Sequence, residues 1–159
     1  MIFVTVGSQM AFDRLITAMD QWAAAQADKP DVFAQVGPST LQPSAMRWTV
    51  SLTPAEFNET IEQADIIVAH AGMGSVLTAM ERGKLLVLMP RRGDLQETRN
   101  DHQVATARWL SGHEGIYIAE DEAALPQVLA QARAASLRTA QIAPYASERL
   151  LSAIKAFVA

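Results

Sequence analysis

Histidine, glycine and serine at close spacing make the first chemical signal of this chain, in His70-Ala71-Gly72-Met73-Gly74-Ser75. The segment falls between an apolar run, Ile66 to Ala69, and a helical pattern, where unpaired backbone N–H groups and the helix dipole attract an anion such as phosphate. Gly72 and Gly74 admit close approach of that anion, the Ser75 hydroxyl can donate to it, and so can the His70 ring. A tight turn capped by Ser75 is the alternative that spacing leaves open. Gly7-Ser8-Gln9 follows the first apolar run in the same way, so that two such turns can clamp a diphosphate; a helix cap by Ser8 is the plainer reading. The third group is Arg91-Arg92 with Glu97, Arg99, Asn100, Asp101, His102 and Gln103. Guanidinium groups suit a carboxylate or phosphate, and the shorter polar side chains suit sugar hydroxyls; a solvated loop with an Asn-Asp helix cap is the competing view.

Residue types exclude other chemistry. The chain has no cysteine, which removes disulfides, thiolate metal sites and cysteine nucleophiles. His70, His102 and His113 are scattered with no HExxH, so no metal is expected. There is no GxSxG elbow, and the glycines fit neither a Walker loop nor GxGxxG, since Leu77 stands at the last position of that fingerprint. With 159 residues the chain is expected to be a single domain over 1–159, and its 13 basic against 17 acidic residues argue against nucleic acid. From Glu81 to Arg108 the net charge is +2 within a total of −4, a local surplus suited to a small anionic ligand. No apolar run of about 18 residues and no signal-peptide pattern is found, so a cytoplasmic protein without its own membrane span is expected.

These groups need elements to position them. Met1 to Gly7 reads as a buried strand, and Phe12, Leu15, Ile16, Met19, Trp22 and Ala23 as a helix ended by Asp28-Lys29-Pro30. Strands are predicted over 31–37 and 46–52, then a helix from Pro54 to Gln63 capped by Thr53, and a strand from Ile66 to Ala69. A helix running to Gly83, a strand from Leu85 to Met89, a polar loop, a helix from Asp101 to Leu110 and a strand Ile116-Tyr117-Ile118 follow. Two alanine-rich helices around Pro144 complete the pattern. The alternation predicts a doubly wound parallel α/β sheet, Rossmann-like, with ligands beyond the carboxyl ends of its strands. Trp22, Trp48 and Trp109 are assigned to core or partner surface.

FVTVGS with FDRLI, then ADIIVAHAGMGSVLTAMERGKLLVLMPRR, then ETRNDHQ, resemble in their order the C-terminal half of family 28 glycosyltransferases of the GT-B fold, over about residues 1–118. Within that family the chain is similar to small donor-binding subunits of the EpsE/PssE type in exopolysaccharide assembly, and to the related eukaryotic subunit that adds the second N-acetylglucosamine to dolichol. The resemblance implies a site for a uridine diphosphate sugar, which is a substrate rather than a cofactor, and inverting transfer to a polyprenyl-linked acceptor. It implies that His70, Gly72, Met73, Gly74 and Ser75 hold the diphosphate, faced by Gly7, Ser8 and Gln9, and that Asp101, His102 and Gln103 hold the donor sugar. His70 would stabilise the leaving group, the general base being expected on a partner.

The family grips the ribose with a glutamate five residues before the Gly83-Lys84 pair, where this chain has Thr78. Glu81 does not replace it, since three residues turn a side chain by about 300° and shift it about 4.5 Å. The resemblance also implies a separate membrane-anchored subunit for the acceptor side, which would hold this chain peripherally at the inner face of the membrane; a homo-oligomer is a further option. Leu125, Val128, Leu129, Leu150, Leu151, Ile154 and Phe157 are candidate interface residues, core packing being their other use. Arg91 and Arg92 point to a donor bearing a carboxylate, such as glucuronate. A non-catalytic nucleotide-sugar-binding or scaffold subunit is the alternative function.

Overall fold

Four short apolar runs, Ile2–Thr5 (β1), Val32–Gln35 (β2), Ile66–Ala69 (β4) and Leu85–Leu88 (β5), lie side by side at the centre of the fold in a computed structural model of the chain, which describes residues 1–139 and 148–158. Arg47–Thr49 (β3) and Ile116–Ile118 (β6) form the edges, giving a six-stranded sheet in the order β3-β2-β1-β4-β5-β6. Every pairing is parallel. The order reverses direction between β1 and β4, whose carboxyl ends therefore open a crevice between the crossovers on either side. Strands buried on both faces need no alternation of polar residues, which is why β4 and β5 are continuously apolar and β1 is apolar up to Thr5, whose buried hydroxyl donates to Gln35.

The helices are Asp13–Ala25 (α1), Pro54–Gln63 (α2), Met73–Glu81 (α3), His102–Leu110 (α4), Leu125–Thr139 (α5) and Glu148–Val158 (α6). One face of the sheet packs Val4, Val68 and Val87 against Leu15, Met19, Trp22, Leu125 and Leu129. The other packs Phe3, Ile67, Leu86 and Leu88 against Ile61, Val76, Met80, Leu110 and Ile154. The predicted α2 and β4 match their observed limits, and Thr53 closes a capping box in which its hydroxyl accepts from the Glu56 N–H and the Glu56 carboxylate accepts from the Thr53 N–H. The polar loop after β5 contains a short 3-10 turn, Gly93–Leu95, that its composition does not announce.

Leu125, Leu129 and Ile154 are core residues, and Val128 and Leu151 pack against the core, so these candidate interface positions serve packing. Phe157 is 58% exposed and stacks on the half-exposed Trp109, with ring centroids 5.3 Å apart. Trp22 is core, whereas Trp48 lies at the surface. The expected helix break near Pro144 and the Leu150 side chain lie outside the described residues. Among the described residues no helix is long and apolar enough to cross a membrane.

Candidate functional site

The turns after β1 and β4 meet above the sheet and enclose a cleft of about 330 Å³, lined by Gly7, Ser8, Gln9, Met10, His70, Gly72, Gly74, Ser75, Arg91, Thr98 and Gln103. Thus most of the residues singled out for anion binding come together, although they stand as far apart as positions 7 and 103. Met10 and Thr98 join the lining without having been anticipated. Each sits inside a segment that already drew notice, so adjacency to Gln9 and to Glu97 was the available signal.

The residue at the N-cap of α3 is Gly72, and no side chain caps that end. The tight-turn reading, with Ser75 as cap, is therefore corrected: the first N–H groups of α3 are left without a capping side chain, as an anion site requires. The cap reading of Ser8 fails too, because α1 begins after Phe12, whose side chain makes no cap hydrogen bond. Gly7 adopts the left-handed region at φ 76°, and a Cβ placed on it would stand 3.0 Å from His70 Nε2. Gly72 is more constrained, because a Cβ there would come within 2.1 Å of His70 Cε1. At Gly74 a Cβ meets nothing within 4 Å.

Gly72 and Gly74 give a graded prediction. Gly72→Ala should displace the His70 ring and destabilise the fold, whereas Gly74→Ala should leave thermal stability unchanged or raised by up to about 1 kcal/mol, alanine being the better helix former. Thermal melts of the two variants check this. Equal melting temperatures would remove the argument that the ring is packed on Gly72.

His70 is the one titratable group here strongly displaced from its ordinary range, down to about 4, because burial disfavours the imidazolium and the nearby Arg91 guanidinium repels it. The ring is neutral at physiological pH. Its folded-state value lies below the ordinary 6.5. Between these values the unfolded chain binds the proton better, so the stability this neutral ring contributes is present above about pH 6.5 and is lost as pH falls toward 4.

Gln103, on the first turn of α4, reaches inward rather than to solvent. Its Oε1 accepts from the Ala71 N–H at 3.2 Å and the Arg91 N–H at 3.0 Å, and its Nε2 lies 3.1 Å from His70 Nδ1. Its oxygen is fully engaged, leaving one amide hydrogen for a ligand.

The two adjacent arginines diverge, which corrects the expectation of a paired carboxylate site. Arg91 is buried, and its guanidinium donates to the carbonyls of Val6 at 2.5 Å, Met10 and Ala11 at 2.8 Å, and Glu97 at 3.2 Å, while lying 4.8 Å from the Phe12 ring centre. Four carbonyls leave it little capacity for an external carboxylate. It contributes positive potential and holds the β1–α1 loop in shape. Arg92 points away and pairs with Asp94 at 2.6 Å.

Glu97 is corrected as well. Its carboxylate takes a bidentate pair of hydrogen bonds from Arg14 at 2.8 and 3.0 Å and accepts from the Arg92 N–H, so it braces the loop instead of facing a ligand. Asn100 accepts from the His102 N–H and Asp101 accepts from the Gly93 N–H; neither they nor His102 line the cleft. Of the expected Asn-Asp cap, the Asn half is made, since Asn100 Oδ1 takes the first N–H of α4, whereas the Asp101 side chain does not cap the helix. Met73 packs its side chain against the apolar layer beneath α3 and does not line the cleft. The Thr78 hydroxyl donates to the Gly74 carbonyl at 2.9 Å, outside the cleft. Among the described residues no group of three or more His, Asp or Glu could hold a metal.

Comparison with known proteins adds a family to this geometry. A family model described as the glycosyltransferase family 28 C-terminal domain matches residues 1–156. The UDP-N-acetylglucosamine transferase subunit ALG13 of Mus musculus is 32% identical over 123 residues, covering 70% of this chain and 10% of its own length. The Homo sapiens subunit of that name is 32% identical over 124 residues with the same coverage. The chain thus spans about a tenth of the length of these relatives. Among solved structures, Acinetobacter baumannii MurG is similar with a TM-score of 0.59 and 19% identity, over 97% of this chain and 49% of that one. The glycotransferase of kitacinnamycin gives 0.61 and 16%, over 98% and 37%. At these identities the likeness to solved structures is one of fold.

Proposed function

Because the chain belongs to the glycosyltransferase family 28 C-terminal domain family, we propose that its cleft holds the diphosphate of a nucleotide sugar and that the chain is the donor-binding part of an inverting glycosyltransferase. The observation that carries this reading is the meeting of Gly7, Gly72, Gly74 and neutral His70 over the uncapped amino end of α3. Phosphate oxygens seated there receive backbone N–H groups, the helix dipole and a histidine N–H. As an acceptor hydroxyl forms its bond to the anomeric carbon, the bond from that carbon to the diphosphate oxygen breaks and the electron pair leaves with the diphosphate. Charge grows on that oxygen, and donors already in place lower the barrier most where the charge develops. The acceptor proton passes to a base outside this cleft, on the acceptor-binding side.

Uridine is the proposed nucleoside of the donor and a membrane-anchored subunit the proposed owner of the acceptor side, with a polyprenyl-diphosphate-linked acceptor in exopolysaccharide assembly. The relatives named as subunits of a UDP-N-acetylglucosamine transferase support the division of labour and the uridine nucleotide. The proposed setting is the cytoplasmic face of the membrane. Burial of Arg91 removes the reason for preferring glucuronate as the donor sugar.

Calorimetric titration tests the reading, using uridine, uridine diphosphate and its glucose, N-acetylglucosamine and glucuronate conjugates. Uridine diphosphate should bind at least tenfold more tightly than uridine, a difference of about 1.4 kcal/mol from the phosphates, and glucuronate should hold no advantage. Equal affinity for uridine and its diphosphate would overturn a phosphate-binding cleft. A non-catalytic nucleotide-sugar-binding or scaffold subunit is the second reading, favoured by Thr78, whose hydroxyl is turned back to Gly74 where the family carries its ribose-gripping glutamate. Binding of the conjugates without turnover in the assembled pair would support it.

A further inference from the structure

We propose that Gln103 is a positioning residue that decides which ring nitrogen of His70 carries the proton, presenting Nε2–H to the cleft; this rests on the diphosphate-binding reading above. The argument begins with the orientation of the Gln103 amide. Two backbone N–H groups, from Ala71 and Arg91, converge on one terminal atom at 3.2 and 3.0 Å. An N–H needs an acceptor, so that atom is the oxygen, and the other terminal atom is the NH₂ group. This NH₂ lies 3.1 Å from His70 Nδ1 and can only donate. Nδ1 therefore accepts, and a neutral imidazole with a bare Nδ1 carries its hydrogen on Nε2.

The ring geometry turns that assignment toward the ligand. Packing on Gly72 fixes the plane of the ring, and the Nε2 edge faces the Gly7 turn across the cleft. The opposite tautomer would set a lone pair against a phosphate oxygen, acceptor against acceptor. The two N–H groups that orient Gln103 come from the turns after β4 and β5, and Gln103 itself from α4. A single amide thus ties the proton on His70 to the closure of three segments. Arg91, from the end of β5, is the charged group acting on the ring; the Gly7 turn and the amino end of α3 bring no ionisable side chain to it. Arg91 disfavours the imidazolium, so the donor is a neutral N–H whose presence is independent of pH through the neutral range.

Gln103→Glu is the discriminating variant. A carboxylate of the same shape still accepts from Ala71 and Arg91, but its second oxygen accepts from His70 Nδ1 where the amide donated. The ring should then carry a proton on Nδ1 and titrate upward by at least one pH unit. Long-range ¹H–¹⁵N spectra of the histidine-labelled chain, with His70→Gln to assign the ring, read this without any ligand. The wild-type ring should hold the Nε2–H form from pH 5.5 to 9. An Nδ1–H ring in the wild-type chain overturns the proposal, and so does a Gln103→Glu variant with unchanged tautomer and titration. Should the variant fail to fold, the wild-type tautomer alone decides. Titration with uridine diphosphate adds a second arm. At pH 7.5, where both rings are neutral, it should bind the variant about tenfold more weakly than the wild type, because the variant's Nε2 carries no hydrogen; equal affinity would overturn the proposal. Weak binding by the wild type at every pH would count against the diphosphate reading and leave the spectroscopic result standing.

Discussion

On the proposed donor-site reading, His70→Ala should lower turnover of the chain assembled with the proposed acceptor-binding subunit by about 10²–10³-fold, the effect of removing one preorganised donor from a developing oxyanion. The folded state should lose far less, about 1–2 kcal/mol, since the lost contacts are one hydrogen bond from Gln103 and the packing on Gly72. Two substitutions separate the donor from mere bulk. His70→Gln can place an amide N–H near the position of Nε2, whereas the shorter His70→Asn reaches only as far as Nδ1. Glutamine should therefore retain more activity than asparagine. Initial rates and thermal melts on the three variants check the split, and turnover in His70→Ala equal to wild type would remove His70 from the mechanism.

The second large effect falls on stability. Arg91→Met should destabilise the chain by about 3–5 kcal/mol, because hydrogen bonds to a charged group contribute about 1.5–3 kcal/mol apiece and their buried carbonyls would be left without a donor. Those carbonyls belong to Val6, Met10, Ala11 and Glu97, so the loss reaches both the β1–α1 loop and the segment after β5. Against a typical total of about 5–15 kcal/mol this is a large fraction. Its neighbour provides the control: Arg92 forms an exposed pair with Asp94, and Arg92→Ala should change stability by less than about 1 kcal/mol. Chemical denaturation of the two variants side by side measures the contrast. Similar unfolding midpoints would show that the Arg91 hydrogen bonds contribute little in solution.

These expectations share a physical root in how the cleft is assembled. Its floor is backbone: the Gly7 turn, the amino end of α3 and the loop held by Arg91. Its single strongly shifted side chain is neutral, so the proposed diphosphate would meet N–H dipoles inside the cleft, with the buried Arg91 charge behind them. Such an arrangement favours an anion without a lysine or a surface arginine at the contact. It also makes the site depend on glycine geometry, and the contrast between Gly72 and Gly74 follows from that dependence.

Local pattern carried much of this architecture. Period and chain punctuation locate β4, α2 with its Thr53 cap, and the glycine turn into α3, since each depends on residues within a few positions of one another. The alternation of strands and helices dictates a parallel sheet, and the sheet places the turns after β1 and β4 at one crevice, so the cleft itself was legible. The fate of the loop side chains was not. Arg91 and Arg92 are adjacent and chemically identical in sequence, and only the fold sends one to Val6, 85 residues away, and the other to Asp94. Gln103 reads as a polar residue at a helix start until the turns after β4 and β5 offer it two N–H groups. Helix and strand periods are properties of the local backbone, whereas a polar side chain in a loop turns toward whichever buried donors and acceptors lack partners, and those exist only once distant segments have closed upon each other.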